Sequence, residues 1–163
     1  MKIVSNTGPL IGLAKIDRLF ILKDIASEVS IPPAVHRELL GKIGIESERI
    51  DKALNDFIRV IDLKPLEPAI KEALVDLDEG ERQAIGLAST FSEDALLLLD
   101  DRAGRSVAEK LNIPTTGVIG ILLLAKEKGI LENIGSLIDE LRNQGYWISD
   151  EIADLAKSFA GEK

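Results

Sequence analysis

Short apolar runs alternate along the chain with longer stretches in which apolar residues recur every three or four positions. The short runs predict strands and the periodic stretches predict helices. The predicted strands are residues 2–5, 28–31, 59–63 and 95–99. The predicted helices are residues 10–16, 33–40, 47–58, 68–77, 79–88, 104–111, 118–128, 134–143 and 149–159, with a turn at residues 112–117. Because strands and helices alternate, the pattern indicates an α/β fold, a three-layer α/β/α sandwich with a mostly parallel central sheet.

Two segments give the strongest signals. Residues 95–99 read A-L-L-L-L with charged residues close on both sides, which is typical of a strand covered on both faces, so we expect a central position in the sheet. The acids Asp78, Glu79 and Glu81 come just before an apolar stripe, and the dipole of a helix favours acids in its first turn. A helix that opens at Glu79 is therefore predicted.

The length and composition indicate one packed domain. The chain has 163 residues, of which 45% are hydrophobic and 29% charged. We expect a single domain over residues 1–163, with residues 131–163 as a C-terminal helical extension. The absence of Cys and the single His36 exclude disulfides, thiolate zinc sites and multi-histidine metal sites. Because no charged-then-apolar leader is present and the apolar run 118–125 is too short to span a bilayer, no membrane association and a cytoplasmic location are expected.

The net charge restricts, but does not exclude, a nucleic-acid substrate. With 20 Lys and Arg against 28 Asp and Glu, the net charge of −8 disfavours long-range capture of nucleic acid. Enzymes that cut phosphodiesters through carboxylate-held cations are nevertheless acidic where the chemistry occurs. The chain lacks the phosphate-loop, dinucleotide-binding and nucleophile-elbow motifs, and its 4% aromatic content offers few platforms for base stacking.

Polar residues that follow strands are the candidates for chemistry, because ligands of a parallel sheet bind beyond the carboxyl ends of its strands. Asn6 follows the first strand, Asp101 follows the predicted central strand, and Glu81 lies in the first turn of a helix that can reach the same edge. Glu38 lies at the margin of a buried helical face. Four oxygen-bearing side chains in one place would suit a hard divalent ion, Mg²⁺ or Mn²⁺.

Each candidate also has an ordinary structural interpretation. Acids at a helix start are commonly solvated dipole partners, and acids after a strand are commonly turn or cap residues, so Glu81, Asp100 and Asp101 fit those roles too. A helical glutamate such as Glu38 is commonly half-exposed, and an asparagine after a strand is commonly a turn residue. Thr116 can cap the helix that follows it.

Five blocks of the sequence, taken in order, resemble a PIN-like domain. The blocks are S-N-T-G-P-L-I-G-L-A-K-I (residues 5–16), I-P-P-A-V-H-R-E-L (31–39), L-D-E-G-E-R-Q-A-I-G-L-A (77–88), L-L-L-D-D-R-A-G-R (97–105) and T-G-V-I-G-I-L (116–122). The resemblance covers about residues 2–130 and is to a prokaryotic branch named only as predicted nucleic-acid-binding PIN-like proteins.

The resemblance implies a Mg²⁺- or Mn²⁺-dependent ribonuclease, as in the toxins of toxin–antitoxin pairs. Its substrate would be RNA, or DNA, and its partner an antitoxin-like protein. The acidic positions of the family fall on Asn6, Glu38, Glu81 and Asp101, with Asp100 adjacent, and Thr7 and Thr116 match hydroxyl positions near the site. The resemblance to dimeric PIN proteins also suggests a homodimer through the apolar helix at 118–125, for which an ordinary core helix is the alternative.

The sequence departs from the family pattern at Asn6, a neutral amide where active PIN nucleases usually have an aspartate. The loss of one negative charge should weaken metal affinity and the activation of metal-bound water. The leading hypothesis is an endoribonuclease in which Glu38, Glu81 and Asp101 hold the ion, with help from Asn6 or Asp100. The rival hypothesis is a PIN-like binding or regulatory module that has lost catalysis.

Two arginines beyond the predicted central strand could contact the substrate. Arg102 and Arg105 could bind a substrate phosphate as charged donors. A solvated helix face is the alternative interpretation of both residues.

Overall fold

A computed structural model describes residues 1–91 and 94–162 of the chain. These residues contain five strands and ten helices. The strands are β1 (Lys2–Ser5), β2 (Glu28–Ile31), β3 (Ile58–Val60), β4 (Ala95–Leu98) and β5 (Thr115–Thr116). The helices are α1 (Thr7–Lys15), α2 (Phe20–Ile25), α3 (Pro33–Leu40), α4 (Ile45–Leu54), α5 (Pro68–Ala73), α6 (Glu79–Ser89), α7 (Arg102–Lys110), α8 (Val118–Glu127), α9 (Gly135–Asn143) and α10 (Asp150–Phe159).

The five strands form one sheet in the order β3-β2-β1-β4-β5, and all four pairings are parallel. The prediction of a mostly parallel sheet is confirmed. The prediction that residues 95–99 occupy the centre was wrong, because β1 takes the middle position and β4 lies beside it. Both strands have a neighbour on each side, so an uninterrupted apolar run could not distinguish the centre from the position next to it.

Helices cover both faces of the sheet, which confirms the predicted three-layer α/β/α architecture. Ile3 and Leu98 point into a core shared with α1, α2, α4 and α8, and α9 and α10 extend the same core. Val4, Leu97 and Leu99 point to the opposite face, where α6 and α7 pack. Because neighbouring residues on a strand face opposite sides, continuous apolar runs supply both cores.

The edge strand β3 is shorter than predicted, because its partner ends. The pattern predicted a strand at 59–63, whereas β3 ends at Val60. The amide of Ile61 donates the last hydrogen bond of this edge to the carbonyl of Ile31 at 2.9 Å. After the neighbouring strand β2, the next residues are Pro32 and Pro33, which lead into α3 and have no N–H to donate. The segment after β3 therefore leaves the sheet at its carboxyl edge.

Several other elements differ from the predictions. The predicted helix at 47–58 ends at Leu54, because Ile58 pairs with Val29 as the first residue of β3. The predicted turn at 112–117 contains the two-residue strand β5, which pairs with the end of β4. The helix α2 was not predicted at all. Short elements of this kind depend on tertiary pairing and carry little periodicity of their own.

The apolar helix α8 belongs to the core of this chain. Val118, Ile121, Leu122 and Ala125 are all buried in it, as the core-helix interpretation expected. The carboxylate of Glu162 accepts hydrogen bonds from backbone amides at the start of α9 and from Lys126 of α8, and so ties the last helices to α8. No helix among the described residues is long and apolar enough to cross a bilayer.

Candidate active site

The candidate residues gather where the chain changes direction across the sheet. From β1 the chain moves outward to β2 and β3, and it then returns to the other side of β1 as β4. Asn6 directly follows β1. Its backbone N–H donates a hydrogen bond to the carbonyl of Leu98 at 3.0 Å, so the ends of β1 and β4 lie together. Asp100 and Asp101 come next on the β4 side. Crevices at such switch points are the usual ligand sites of open parallel sheets.

A glycine in the first turn of α6 leaves the space into which three oxygens point. A Cβ atom at Gly80 would lie 2.7 Å from Oε1 of Glu38, 3.3 Å from Oδ1 of Asn6 and 3.6 Å from Oδ1 of Asp78. These side chains come from α3, from the start of α1 and from the N-cap of α6. Because Gly80 has no side chain, oxygens from distant parts of the sequence converge on one point.

Glu81 and Asp101 meet beside this point, at the first turn of α7. Asp101 is the N-cap residue of α7, where its Oδ2 accepts a hydrogen bond from the amide of Gly104 at 2.9 Å. Oε2 of Glu81 lies 3.6 Å from the position that a Cβ of Gly104 would take. The structure thus brings Asn6, Glu38, Glu81 and Asp101 to one edge of the sheet. We call these four residues and Asp78 the acidic rim.

The electrostatics of the acidic rim act most strongly on Glu81. The pKa of this carboxyl is raised to about 7, most strongly by burial and then by the nearby charges of Asp78, Asp101 and Glu38. Carboxylates held this close oppose one another's ionisation. A proton or a cation at the rim would relieve the repulsion.

Sequence reasoning missed two members of this arrangement, Asp78 and Gly80. Asp78 had been interpreted only as a helix-dipole partner, but Oδ1 of this N-cap residue accepts a hydrogen bond from the amide of Glu81 at 2.8 Å. It therefore both begins the helix and raises the pKa of Glu81. The signal was available, because an aspartate followed three positions later by a glutamate marks a helix N-terminus. The role of Gly80 required the positions of Asn6 and Glu38, which only the fold supplies.

Asp100 and Arg105 lie on the α8 side of the rim. Oδ1 of Asp100 accepts a hydrogen bond from the amide of Val118 at 3.3 Å and lies 3.8 Å from Nη2 of Arg105. Burial raises the pKa of Asp100, and the Val118 amide and Arg105 oppose the rise. Nε of Arg105 donates to the carbonyl of Leu99 at 2.7 Å, so Arg105 holds the chain that leads to Asp101.

The remaining predicted residues occupy three different environments. Thr7, the first residue of α1, is buried, and its Oγ1 has no hydrogen-bond partner within the described residues. Thr116 packs its hydroxyl against Gly120 of α8. Arg102 is exposed in the first turn of α7. Thr7 directly follows the rim residue Asn6 in the sequence and has a polar atom that is unused within the described residues.

The donor set of the acidic rim fits a hard divalent ion. Every polar side chain at the rim offers oxygen, which Mg²⁺ and Mn²⁺ prefer, and none offers sulfur or imidazole nitrogen. In residues 1–91 and 94–162, no three carboxylate or imidazole groups are already spaced to surround one ion. As the described side chains stand, the carboxylates of the rim are not close enough to share one ion, so joint binding would require them to move together.

Gly80→Ala should weaken Mn²⁺ binding at the acidic rim and leave the stability of the fold nearly unchanged. The new Cβ would displace Oε1 of Glu38, the far end of a flexible side chain, so we expect the free energy of unfolding to change by less than about 1 kcal/mol. Affinity for Mn²⁺ should fall roughly tenfold if the rim binds that ion through several oxygens. Calorimetric titration and denaturant unfolding measure the two effects.

Gly8→Ala is the matched control, because Gly8 is also the second residue of its helix and its nearest neighbour, Oδ2 of Asp100, lies at 4.0 Å. Equal Mn²⁺ affinity in the two variants would contradict the assignment of Gly80 to the rim.

Comparison with known proteins gives one result for the whole chain. The family model DUF3368, described as a PIN domain, matches residues 2–162. A search of the curated proteins finds no match. The family match extends through the C-terminal helices, beyond the part of the sequence on which the resemblance was first based.

Proposed function

The chain belongs to the PIN domain family, and on this premise we propose that it is a metal-dependent endoribonuclease. Membership of this family indicates a nuclease-like fold and nucleic-acid binding, and its members generally use divalent metal ions. Mg²⁺ or Mn²⁺ would be held at the acidic rim by Glu38, Glu81 and Asp101, with the amide oxygen of Asn6. The substrate is RNA, and the reaction is hydrolysis of an internal phosphodiester bond.

One observation carries the proposal: oxygens from four separate elements converge around Gly80 and Gly104. An arrangement that served only to start two helices would require Asp78 and Asp101 alone, since these are the two N-cap residues. It would not require Glu38 or a half-buried Glu81. The presence of these two further carboxylates adds charge repulsion, which opposes folding. Accumulated carboxylates at a switch-point crevice are instead typical of a cation-binding catalytic site.

The residues of the chain divide the work between binding and positioning. A divalent ion held at the rim by these residues would supply charge stabilisation and a more acidic water for phosphodiester hydrolysis. Glu38, Glu81 and Asp101 would bind the ion through their carboxylate oxygens. Asn6 would contribute a neutral oxygen that orients ligands without adding charge. Asp78 and Asp101 fix the first turns of α6 and α7 through their capping hydrogen bonds, and so hold Glu81 in place.

A cleavage assay on purified protein tests this proposal. We expect Mn²⁺ or Mg²⁺ to support cleavage of a single-stranded RNA, EDTA to stop it, and re-addition of the ion to restore it. The same assay with a DNA of identical sequence decides between RNA and DNA as the substrate. Cleavage that persists in EDTA, or no cleavage with any divalent ion, would overturn the proposal.

Asn6 favours a second candidate, a PIN module that binds nucleic acid without cutting it. The amide replaces a negative charge at the point where oxygens converge, and this lowers the expected affinity for a cation. This candidate predicts RNA binding in EDTA and no cleavage with Mn²⁺ at millimolar concentrations.

A toxin role is the narrower form of the nuclease proposal. It requires an antitoxin-like protein that binds the chain and silences cleavage. Expression of the parent chain without a partner should then slow growth of a bacterial host, and expression of Glu81→Gln should not. Equal growth with both chains would remove the toxin role and leave the nuclease proposal to the assay above.

A further inference from the structure

A groove lies between α6 and the segment that leads from β3 through α5. It has a volume of about 430 Å³, within the range of small-molecule sites. Leu66, Leu74 and Leu87 contribute apolar surface, and Leu66 and Leu74 lie close to Gly86 of α6. Because β3 ends at the carboxyl edge of the sheet, this segment begins at the same edge as the acidic rim.

The charges of the groove differ from those of the chain as a whole. Three cations line it, Lys64, Lys71 and Arg82, although the net charge of the chain is −8. None of the three lies within ion-pair distance of a carboxylate in the part of the chain that the structure describes. The acid that lines the groove, Glu79, is paired with Arg37. The groove is therefore complementary to an anion.

The groove adjoins the acidic rim through two pairs of consecutive residues. Neighbouring residues on a helix point about 100° apart. On α6, Glu81 contributes to the rim while the next residue, Arg82, lines the groove. On α3, Glu38 points at Gly80 while the preceding Arg37 pairs with Glu79 at the groove. A strand bound at the rim can thus continue directly into the groove.

We propose that this groove binds one unpaired nucleotide of the RNA strand, next to the phosphodiester that is cut at the rim. This inference rests on the proposed function. Lys64, Lys71 and Arg82 contact the phosphates, as charged donors commonly do in nucleic-acid complexes. The leucines contact the base.

The lining of the groove also indicates how selective it is. Among the residues that the structure describes, no aromatic side chain lines it, so the base is held by apolar contact and not by stacking. Apolar side chains do not read the hydrogen-bonding edges of a base, so we expect little preference among the four bases. An acidic peptide has similar charge and apolar character, but the continuity with the rim favours the strand that is cut there.

The test measures RNA binding without cleavage. Binding of a fluorescein-labelled single-stranded RNA of about ten nucleotides is followed by anisotropy in EDTA, over a series of salt concentrations. The double variant Lys64→Ala/Lys71→Ala removes two cations of the groove, and both residues are exposed. Lys52→Ala/Lys128→Ala is the matched control, with two exposed lysines outside the lining.

We expect the groove variant to bind RNA roughly tenfold more weakly than the parent, with a salt slope smaller by about 1 to 2, whereas the control stays within about twofold of the parent.

Three results would overturn the inference: no RNA binding by the parent, equal loss in the groove and control variants, or tighter binding of a peptide of alternating Glu and Leu than of RNA at these residues. The proposed function can fail separately. If the parent binds RNA through the groove but does not cleave it with Mn²⁺, the groove stands and the nuclease proposal falls. If the protein cleaves and the groove variant matches the control, the nuclease proposal stands and the groove falls.

Discussion

Glu81→Gln should lower Mn²⁺-dependent RNA cleavage by at least about 100-fold, the scale expected when an essential catalytic group is removed. Glutamine keeps the shape of the side chain and one carbonyl oxygen but removes the charge that would attract the ion. The measurement is kcat/KM on a defined single-stranded RNA. Glu48→Gln is the matched control, because Glu48 is an exposed acid near the start of α4, in a different part of the chain.

The same substitution should stabilise the metal-free protein at high pH. The pKa of Glu81 is raised to about 7 from its ordinary value of 4.5, so the native state favours the protonated form. Stability from this group is fully present below pH 4.5 and is lost as the pH rises through about 7. With allowance for the exposed part of the side chain, we expect Glu81→Gln to exceed the parent by about 1 kcal/mol at pH 8.

The two chains should be equally stable near pH 4, where both side chains are neutral. Thermal unfolding in EDTA at pH 4, 6 and 8 measures the difference. A variant that loses activity but shows no gain in stability at pH 8 would mean that the rim does not repel Glu81 as the structure indicates. Cleavage by Glu81→Gln at the rate of the parent would mean that a contaminating nuclease is the source of activity.

Asn6→Asp should raise Mn²⁺ affinity roughly tenfold, because the number of charged ligands is a main determinant of cation affinity. Oδ1 of Asn6 already points at the space beside Gly80, and within the described part of the chain this side chain makes no capping hydrogen bond that the change would break. Turnover of RNA should rise at Mn²⁺ concentrations below saturation. Calorimetry and cleavage rates over a Mn²⁺ series measure the two effects.

The gain in affinity should come with a loss of stability in EDTA. A further carboxylate beside Glu38 and Asp78 adds repulsion, which we expect to lower the free energy of unfolding by about 1 kcal/mol. Saturating Mn²⁺ should more than reverse this loss. Unchanged affinity and unchanged turnover would show that position 6 has no role in metal binding, and would favour the binding module over the nuclease.

The fold could be predicted from the sequence where an element shows its own periodicity. The bounds of β1, β2 and α3 match the expected residues, because an apolar run, a proline start and a glycine stop are local signals. The short strands β3 and β5 were misplaced, because their extent depends on a partner: the Pro32-Pro33 pair ends β3, and β4 creates β5. Order within the sheet is likewise a property of the tertiary structure.

For the candidate site too, local sequence signals predicted some features, and other features depend on the tertiary structure. Residues that follow strands were correctly expected at one edge, since parallel strands end together, and Asn6 and Asp101 lie there. That Asp100 faces Val118 while its neighbour Asp101 caps α7 could not be predicted, because it depends on which way one turn points after Leu99. The space at Gly80 depends on α3 and α6 packing together, and no local pattern encodes that distance.

Mn²⁺ binding to single variants from three different helices tests the shared rim most directly. Calorimetric titrations would compare the parent with Glu38→Gln on α3, Glu81→Gln on α6 and Asp101→Asn at the cap of α7, where asparagine still caps the helix. Joint binding predicts one ion per chain and at least roughly tenfold weaker affinity in each of the three variants, with Glu48→Gln unchanged. Parent-like affinity in all three, or a loss confined to one of them, would contradict joint binding.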